Sequence, residues 1–376
     1  MVEFDRFGPE KILRVYNPKV GMRGFLVVDN ASLGPGKGGI RMTPTVSVGE
    51  VARLARVMTW KTALAELPFG GAKAGIVANP KTMTQQQRKE IVQAFAKALK
   101  LVSPKIYIAA PDINMGEQEM RWYVEANGSL KSATGKPANM CDKNGRNCGL
   151  PHELGSTGLG IYNAAVIAAK HAGMELENAS IAVEGFGNVG YFAAKYLSEK
   201  GAKIVAVSDS RGLIYNKAGI EFEKLVDVKK KTGTVAEYKP GTVFPSSKII
   251  SLPVDVLVTA AIPDLIKEAD IPEIKAKIIV QGSNIPMEKH AEDRAHEKKI
   301  LVVPDIVANA GGVISSYAEF RGENAKTMMK IVEAKIKKNT ELVLSNAEAQ
   351  GTTPRDAALE IARSRVLKKC EWCGTN

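Results

Sequence analysis

Three lysines near the start of the chain stand beside glycine or on an apolar stripe. They are Lys37 in Gly36-Lys37-Gly38-Gly39, Lys61 at the edge of an apolar helical stripe, and Lys73 in Gly70-Gly71-Ala72-Lys73. Lysine is rarely buried, so each alone reads as a surface residue, and only the three together read as a site. Mutual repulsion and partial desolvation would lower the pKa of one ammonium, and a carboxylate ligand would neutralise the others. Asp112 follows Pro111 at a strand end and is placed to join them as an acid or base, although alone it would be a turn aspartate. A second constellation is Gly185-Phe186-Gly187-Asn188-Val189-Gly190, between a strand and a helix. The first glycine permits a tight turn, the second lets backbone approach a pyrophosphate, and the third allows close helix–sheet contact. The helix N-terminus then offers free N–H groups and a positive dipole to the phosphates. Asp209 ends the next strand roughly 20 residues on, where an acid meets the adenosine ribose hydroxyls. Asp209 alone favours NAD, whereas Arg211, with Ser208 and Ser210, could hold a 2′-phosphate. The expectation is therefore NAD(P), with a slight lean to NADP.

These residues need an α/β scaffold to position them. Arg23 to Asp29 reads as a strand, Gly34 to Gly39 as a backbone-rich loop, and Ser47 with Glu50 as a capping box opening a helix. Thr84 with Gln87 opens a second helix, and Ile106 to Ala109 reads as a strand. From Ser180 the pattern becomes βαβ, with strands at Ile181–Glu184, Lys203–Ser208, Val254–Val258, Ile278–Val280 and Ile300–Val303. Past Arg321 only helices are evident, the last opened by Thr353-Pro354. A chain of 376 residues exceeds one usual core. The expected division is 1–152 plus 326–376 as an α/β substrate and oligomerisation domain, and 153–325 as a Rossmann-type domain, with a cleft between them.

Composition excludes other classes. Apolar residues at 45% and charged residues at 24% argue against a disordered or fibrous chain. A net charge of +12 permits nucleic acid only if it gathers on one face. Lys229-Lys230-Lys231, the Lys335, Lys337, Lys338 group and Lys368-Lys369 instead read as solvated helix faces, so no nucleic-acid partner is expected. No apolar stretch approaches about 18 residues, so no membrane partner is expected. Four cysteines in so long a chain are no secreted-type framework, and with no basic-apolar leader the expected location is cytoplasmic.

The chain resembles the glutamate, leucine, phenylalanine and valine dehydrogenase superfamily over nearly its whole length, and within it the glutamate dehydrogenases. The stretches that carry this are Gly34-Pro35-Gly36-Lys37-Gly38-Gly39-Ile40-Arg41, Met58-Thr59-Trp60-Lys61 and Pro68-Phe69-Gly70-Gly71-Ala72-Lys73. Ala110-Pro111-Asp112, Gly155-Ser156-Thr157-Gly158, Gly282-Ser283-Asn284-Ile285-Pro286 and Asn309-Ala310-Gly311-Gly312-Val313 add to it. The resemblance implies reversible oxidative deamination of L-glutamate to 2-oxoglutarate and ammonia with NAD(P). Lys73 and Asp112 fall on the catalytic positions and Lys61 on the lysine that holds the α-carboxylate. Lys37, assisted by Ser316, falls on the position that binds the side-chain carboxylate in glutamate enzymes and is apolar in the leucine and phenylalanine enzymes. Ala110 and Val313 line the substrate. Thr157, Asn188, Thr259 and Ala260 join the glycine turn at the cofactor, and Asn284 and Asn309 orient nicotinamide and substrate. A homo-oligomer, in the family a hexamer, is implied. The alternatives are a dehydrogenase for leucine, valine or phenylalanine, which Lys37 disfavours, or a catalytically silent dinucleotide-binding regulator.

The chain departs from the family in two places. Glu153 stands where the glutamate dehydrogenases have an arginine four residues before Thr157, with Arg146 a candidate substitute. The segment before the Lys37 loop is short, nearer the leucine dehydrogenase frame. Cys141, Cys148, Cys370 and Cys373 with His152 could form a tetrahedral zinc site, but the gap between the first two is not a standard ligand spacing. Unrelated free thiols and no metal are expected.

Overall fold

The computed structural model describes residues 2–151 and 154–374, so His152 and Glu153 lie outside the described residues. The chain divides into two compact units: Met1–Leu154 with Val313–Ile331 and Leu359–Asn376, and Gly155–Gly312 with Val332–Ala358.

The first unit is built on strands β1 (Lys11–Asn17), β2 (Met22–Asn30), β3 (Gly36–Thr43), β4 (Gly70–Val77) and β5 (Tyr107–Ala110), in the order β1-β2-β4-β3-β5. β2 runs antiparallel to both β1 and β4, whereas β3 runs parallel to both β4 and β5. Successive side chains of a strand point to opposite faces. Leu26 and Val28 therefore join Phe95 and Tyr123, from helices α2 (Gln85–Ala98) and α3 (Glu117–Asn127), in one core. Val27, between them, packs with Val51 and Ala55 of α1 (Val48–Leu64) on the other side. Ser47 caps α1 by accepting the Glu50 N–H, and Thr84 and Gln87 form the reciprocal capping box of α2.

The expected loop at Gly34 to Gly39 is instead strand from Gly36 onward. Its glycines answer to crowding rather than to flexibility: a Cβ on Gly38 would lie 1.6 Å from the Ala72 carbonyl oxygen. Glycine is what lets β3 fit between β4 and β5 at this point.

The second unit carries seven strands, β6 (Ser180–Glu184), β7 (Lys203–Asp209), β8 (Gly212–Tyr215), β9 (Thr242–Phe244), β10 (Val256–Thr259), β11 (Ile278–Gln281) and β12 (Leu301–Val303). Their order is β12-β11-β10-β6-β7-β8-β9, parallel through β7 and closed by the antiparallel β8 and β9, which the apolar pattern did not suggest. Helices α4 (Ser156–His171), α5 (Asn188–Glu199), α6 (Phe222–Thr232), α7 (Lys289–Glu297) and the single turn α8 (Asp305–Ala308) complete this part of the unit. The order reverses at β6, between β7 and β10, which is the topological switch point where open α/β sheets bind ligands.

Helices α9 (Gly311–Phe320), α10 (Ala325–Gln350) and α11 (Pro354–Leu367) follow. The expectation gave all of 326–376 to the first domain, but Val332–Ala358 groups with the second unit. One tie at the start of α11 is a buried charge cluster that sequence patterning cannot reveal. Arg355, in the first turn of α11, donates to Glu292 at 2.5 Å, to Gln281 at 2.8 Å and to Asp305 at 2.9 Å. Both carboxylate side chains are at most 3% exposed. Among the described residues no helix is long and apolar enough to cross a membrane.

Replacing Arg355 by Met should leave two buried carboxylates without their cation and lower the unfolding free energy by about 3–5 kcal/mol. A urea titration in which the Arg355→Met variant keeps the wild-type midpoint would contradict this account of the cluster.

Candidate active site

In the first unit, the lysine cluster forms where three strands meet. Ala72 and Ala74 face the α2 and α3 core, so alternation turns Lys73, between them, to the opposite side of the sheet. There its ammonium meets the Asp112 carboxylate at 2.7 Å, just beyond the end of β5. Arg41 of β3 reaches the same carboxylate oxygen from its Nε at 3.0 Å and also pairs with Glu50 of α1 at 2.5 Å. Burial alone would raise the Asp112 pKa, but the charges of Lys73 and Arg41 outweigh it and hold the group down at about 2.

Lys37 is 1% exposed and donates its ammonium to the Ala109 carbonyl at 2.7 Å. Burial lowers its pKa to about 7, with the charges of Lys136 and Lys73 adding to that and Glu319 opposing it. The Ala109 carbonyl also accepts the Thr134 N–H at 3.0 Å, which brings Thr134 beside the Lys37 head group. Lys136 pairs with Glu319 of α9, and the Gly135 N–H donates to the same carboxylate at 2.7 Å. Glu319, Thr134 and Lys136 line a cavity of about 230 Å³ together with Asp142, Asn147 and Phe320. The Thr134 hydroxyl is buried with no hydrogen-bond partner among the described residues.

Of the other expected substrate residues, Ala110 ends β5 and is buried, in register with Gly39. Val313 and Ser316 are buried on α9, two and one helical steps before Glu319 on the same face. Lys61 is buried near the C-terminal end of α1, the helix that packs on β4. Arg41, Thr134, Lys136 and Glu319 were not singled out from the sequence. Arg41 stood within the quoted motif, whereas the other three lay in polar or helical stretches without apolar periodicity.

In the second unit the glycine turn lies at the switch point. Gly185, at φ +88°, leaves β6 beside Thr259 and Ala260, and Glu184 accepts the Ala260 and Ala261 N–H groups at 2.9 and 3.0 Å. A Cβ on Gly190 would lie 1.9 Å from the Gly185 carbonyl oxygen, so the helix closes directly on the turn. A Cβ on Gly187 would meet nothing within 4 Å, and Gly187 and Asn188 are exposed while Phe186 is buried and Val189 half-buried. Backbone open at the second glycine and closed at the third is the cradle a pyrophosphate needs, so the residues fit a dinucleotide. Thr157 is half-buried in the first turn of α4. Asn309 donates its amide to Asn284 at 3.0 Å and to the Gly282 carbonyl at 3.2 Å, holding the turn after β11.

The adenosine end departs from expectation. The Asp209 side chain is only 6% exposed and turned inward, where Lys229 donates to it at 2.6 Å. Ser208 is buried and accepts the Gly185 N–H at 3.3 Å, which points it into the turn. Ser210 and Arg211 stay exposed in the tight turn between β7 and β8, with Arg211 donating to the Thr232 carbonyl at 3.2 Å. Lys229 is therefore no solvated-face residue.

The cysteines form the disulfides Cys141–Cys148 and Cys370–Cys373 and are not the free thiols expected. Asp142, whose N–H donates to the Arg146 carbonyl at 2.7 Å, folds the intervening loop back and brings the first pair together. Arg146 itself is exposed in that turn.

Residues 9–128 match the pattern described as "Glu/Leu/Phe/Val dehydrogenase, dimerisation domain", and residues 149–374 match "Glutamate/Leucine/Phenylalanine/Valine dehydrogenase". The chain is 40% identical over 368 residues to a glutamate dehydrogenase of Aeropyrum pernix, covering 93% of this chain and 86% of that one. It is 36% identical to an NADP(+)-dependent glutamate dehydrogenase of Pyrobaculum calidifontis, again over 93% and 86% of the two chains. Among solved structures, a hetero-hexameric glutamate dehydrogenase from Thermus thermophilus in a leucine-bound form superposes with a TM-score of 0.86 at 28% identity, over 98% and 91% of the chains.

The two glycines should separate in experiment. Gly187→Ala should keep wild-type stability and weaken NAD(P)H binding about tenfold or more, because only a bound pyrophosphate would meet the new methyl group. Gly190→Ala should lose stability, by about 1–3 kcal/mol or more. Wild-type cofactor affinity in Gly187→Ala, measured by fluorescence titration, would show that the turn is not the cradle.

Proposed function

The chain belongs to the glutamate/leucine/phenylalanine/valine dehydrogenase family, and from that premise we propose that it is a glutamate dehydrogenase, interconverting L-glutamate with 2-oxoglutarate and ammonia. The observation that carries the choice of glutamate is the buried Lys37 ammonium, which among the described residues has only carbonyl acceptors within hydrogen-bond distance. A carboxylate at the end of a substrate side chain supplies the missing anion. An apolar side chain would leave the cation desolvated and unpaired, a penalty of roughly several kcal/mol.

Lys61 holds the substrate α-carboxylate in this reading, and Ala110, Val313 and Ser316 line the remainder with Thr134. The 185–190 turn would hold NAD(P)+, which would supply the acceptor for the hydride of the substrate Cα. Asp112, ionised in the free site, accepts from the substrate amine and then carries its proton. Lys73 acts in its neutral form, its ammonium proton having left to solvent: it takes a proton from the water whose oxygen bonds to the iminium carbon as the C=N π bond breaks, and its 2.7 Å contact with Asp112 gives a proton a direct path between the two groups. Arg41 keeps the Asp112 carboxylate oriented while that proton moves.

At the cofactor, the reading assigns Thr157, the 185–190 turn, Ser210, Arg211, Thr259, Ala260, Asn284 and Asn309, while Asp209, expected there, is turned inward onto Lys229; a preference for NADP is supported by the name of the Pyrobaculum relative. A homo-oligomer, a hexamer in the full form of the reading, is supported by the match to a dimerisation domain and by the likeness to the hetero-hexameric Thermus enzyme. A cytoplasmic location belongs to the same reading.

Turnover of glutamate, leucine, valine and phenylalanine, followed by the absorbance of reduced nicotinamide, tests the proposal. Wild type should prefer glutamate, and Lys37→Leu should lose about 100-fold or more in kcat/KM for glutamate. Glutamate turnover by Lys37→Leu at the wild-type rate would refute the role. Lys73→Ala and Asp112→Asn should each fall about 1000-fold or more in kcat with cofactor binding intact. A residual rate within about tenfold of wild type in either would show the assignment to be wrong.

A further inference from the structure

An acid ending the second strand of a dinucleotide fold ordinarily hydrogen-bonds the ribose diol, and its charge disfavours a 2′-phosphate. Asp209 occupies that position, yet its acceptor capacity is already used. Oδ1 accepts the Arg211 N–H at 2.8 Å and the Thr234 hydroxyl at 3.1 Å. Oδ2 accepts the Lys229 ammonium at 2.6 Å and the Val235 N–H at 2.8 Å. A carboxylate offers about four acceptor sites, so four donors leave none facing a ribose. Burial would raise the Asp209 pKa, but the hydrogen bonds from Lys229, Arg211 and Val235 hold it below the usual carboxylate range. The acid is thus ionised, turned inward and neutralised by a cation from α6. Beside it the exposed Ser210 and Arg211 form the turn into β8, and Lys230 and Lys231 follow Lys229 in the last turn of α6.

We propose that Lys229 sets the cofactor selectivity of this chain: paired with Asp209, it removes the negative charge that would repel a 2′-phosphate and leaves the Ser210–Arg211 turn to receive that phosphate. The inference rests on the reading of the chain as an NAD(P)-dependent dehydrogenase. Lys229 acts through Asp209, so it is a positioning residue and not a phosphate ligand. An uncovered carboxylate within several ångströms of the phosphate should weaken NADPH binding about tenfold or more, with little effect on NADH.

The test is direct binding of NADPH and of NADH by fluorescence titration, without turnover, on wild type, Lys229→Met, Lys229→Gln and the double variant Asp209→Asn/Lys229→Met. Wild type should bind NADPH the more tightly. Both single variants should lose about tenfold or more in NADPH affinity while NADH changes by less than about threefold. The double variant, with neither charge, should return to within about threefold of wild type for NADPH. An unchanged NADPH to NADH ratio in the single variants, or a wild type that prefers NADH, would overturn the proposal. A double variant as weak as Lys229→Met would overturn it too, since Lys229 would then be touching the phosphate itself. Wild type that binds neither nucleotide would instead sink the dehydrogenase reading on which the proposal stands.

Discussion

An ammonium group removed from water in the first unit is the constraint on which the substrate site depends. Lys37 is 1% exposed and satisfied by main-chain carbonyls, with Glu319 opposing the loss of its proton from a distance. A desolvated cation without a contacting anion is costly, and folding tolerates it by letting the pKa fall. What surrounds it follows from that cost. β3 is strand rather than loop because its glycines admit the Ala72 carbonyl at a distance no side chain allows, and this fixes the Lys37 backbone between β4 and β5. Tyr107, buried beneath, donates its hydroxyl to the Gly38 carbonyl at 3.0 Å and ties the same strand to β5.

The neighbouring charges are distributed so that the proposed catalytic pair, Lys73 and Asp112, and the proposed specificity residue, Lys37, do not share a partner. Asp112 is claimed by Lys73 and Arg41, and Glu319 by Lys136 and the Gly135 N–H. Each carboxylate therefore has its own cation, and Lys37 donates to main-chain carbonyls instead. The second unit uses the same device at the adenosine end, where Lys229 covers Asp209.

How much of this was legible in the sequence depended on how local the determining contact is. The 185–190 turn was readable because strand, glycines and helix are contiguous, and Lys37, Lys73 and Asp112 were readable because glycine or proline stands close to each of them. The Lys136–Glu319 pair was not, since its partners are 183 residues apart and neither sits in a recognisable motif. Lys229 was read as a solvated face because one turn of a helix gives no sign of what lies across from it. That the start of α11 is tied to the second unit was hidden in the same way, as Arg355 finds its carboxylates 50 and 63 residues away. The short strands β8 and β9 were missed because three or four residues carry too little periodicity, and the Cys141–Cys148 pair because only the fold of its loop brings the two together.

Proton uptake on ligand binding tests the claim about Lys37 most directly. With the empty site near pKa 7, the ammonium is mostly neutral at about pH 8, and a dicarboxylate binds its charged form. Calorimetric titration with 2-oxoglutarate in buffers of different ionisation enthalpy should then show uptake of close to one proton, with affinity falling as pH rises through 7. 2-Oxopentanoate, which lacks the distal carboxylate, should take up none. Binding of 2-oxoglutarate without proton uptake, or equal uptake for both ligands, would contradict the account.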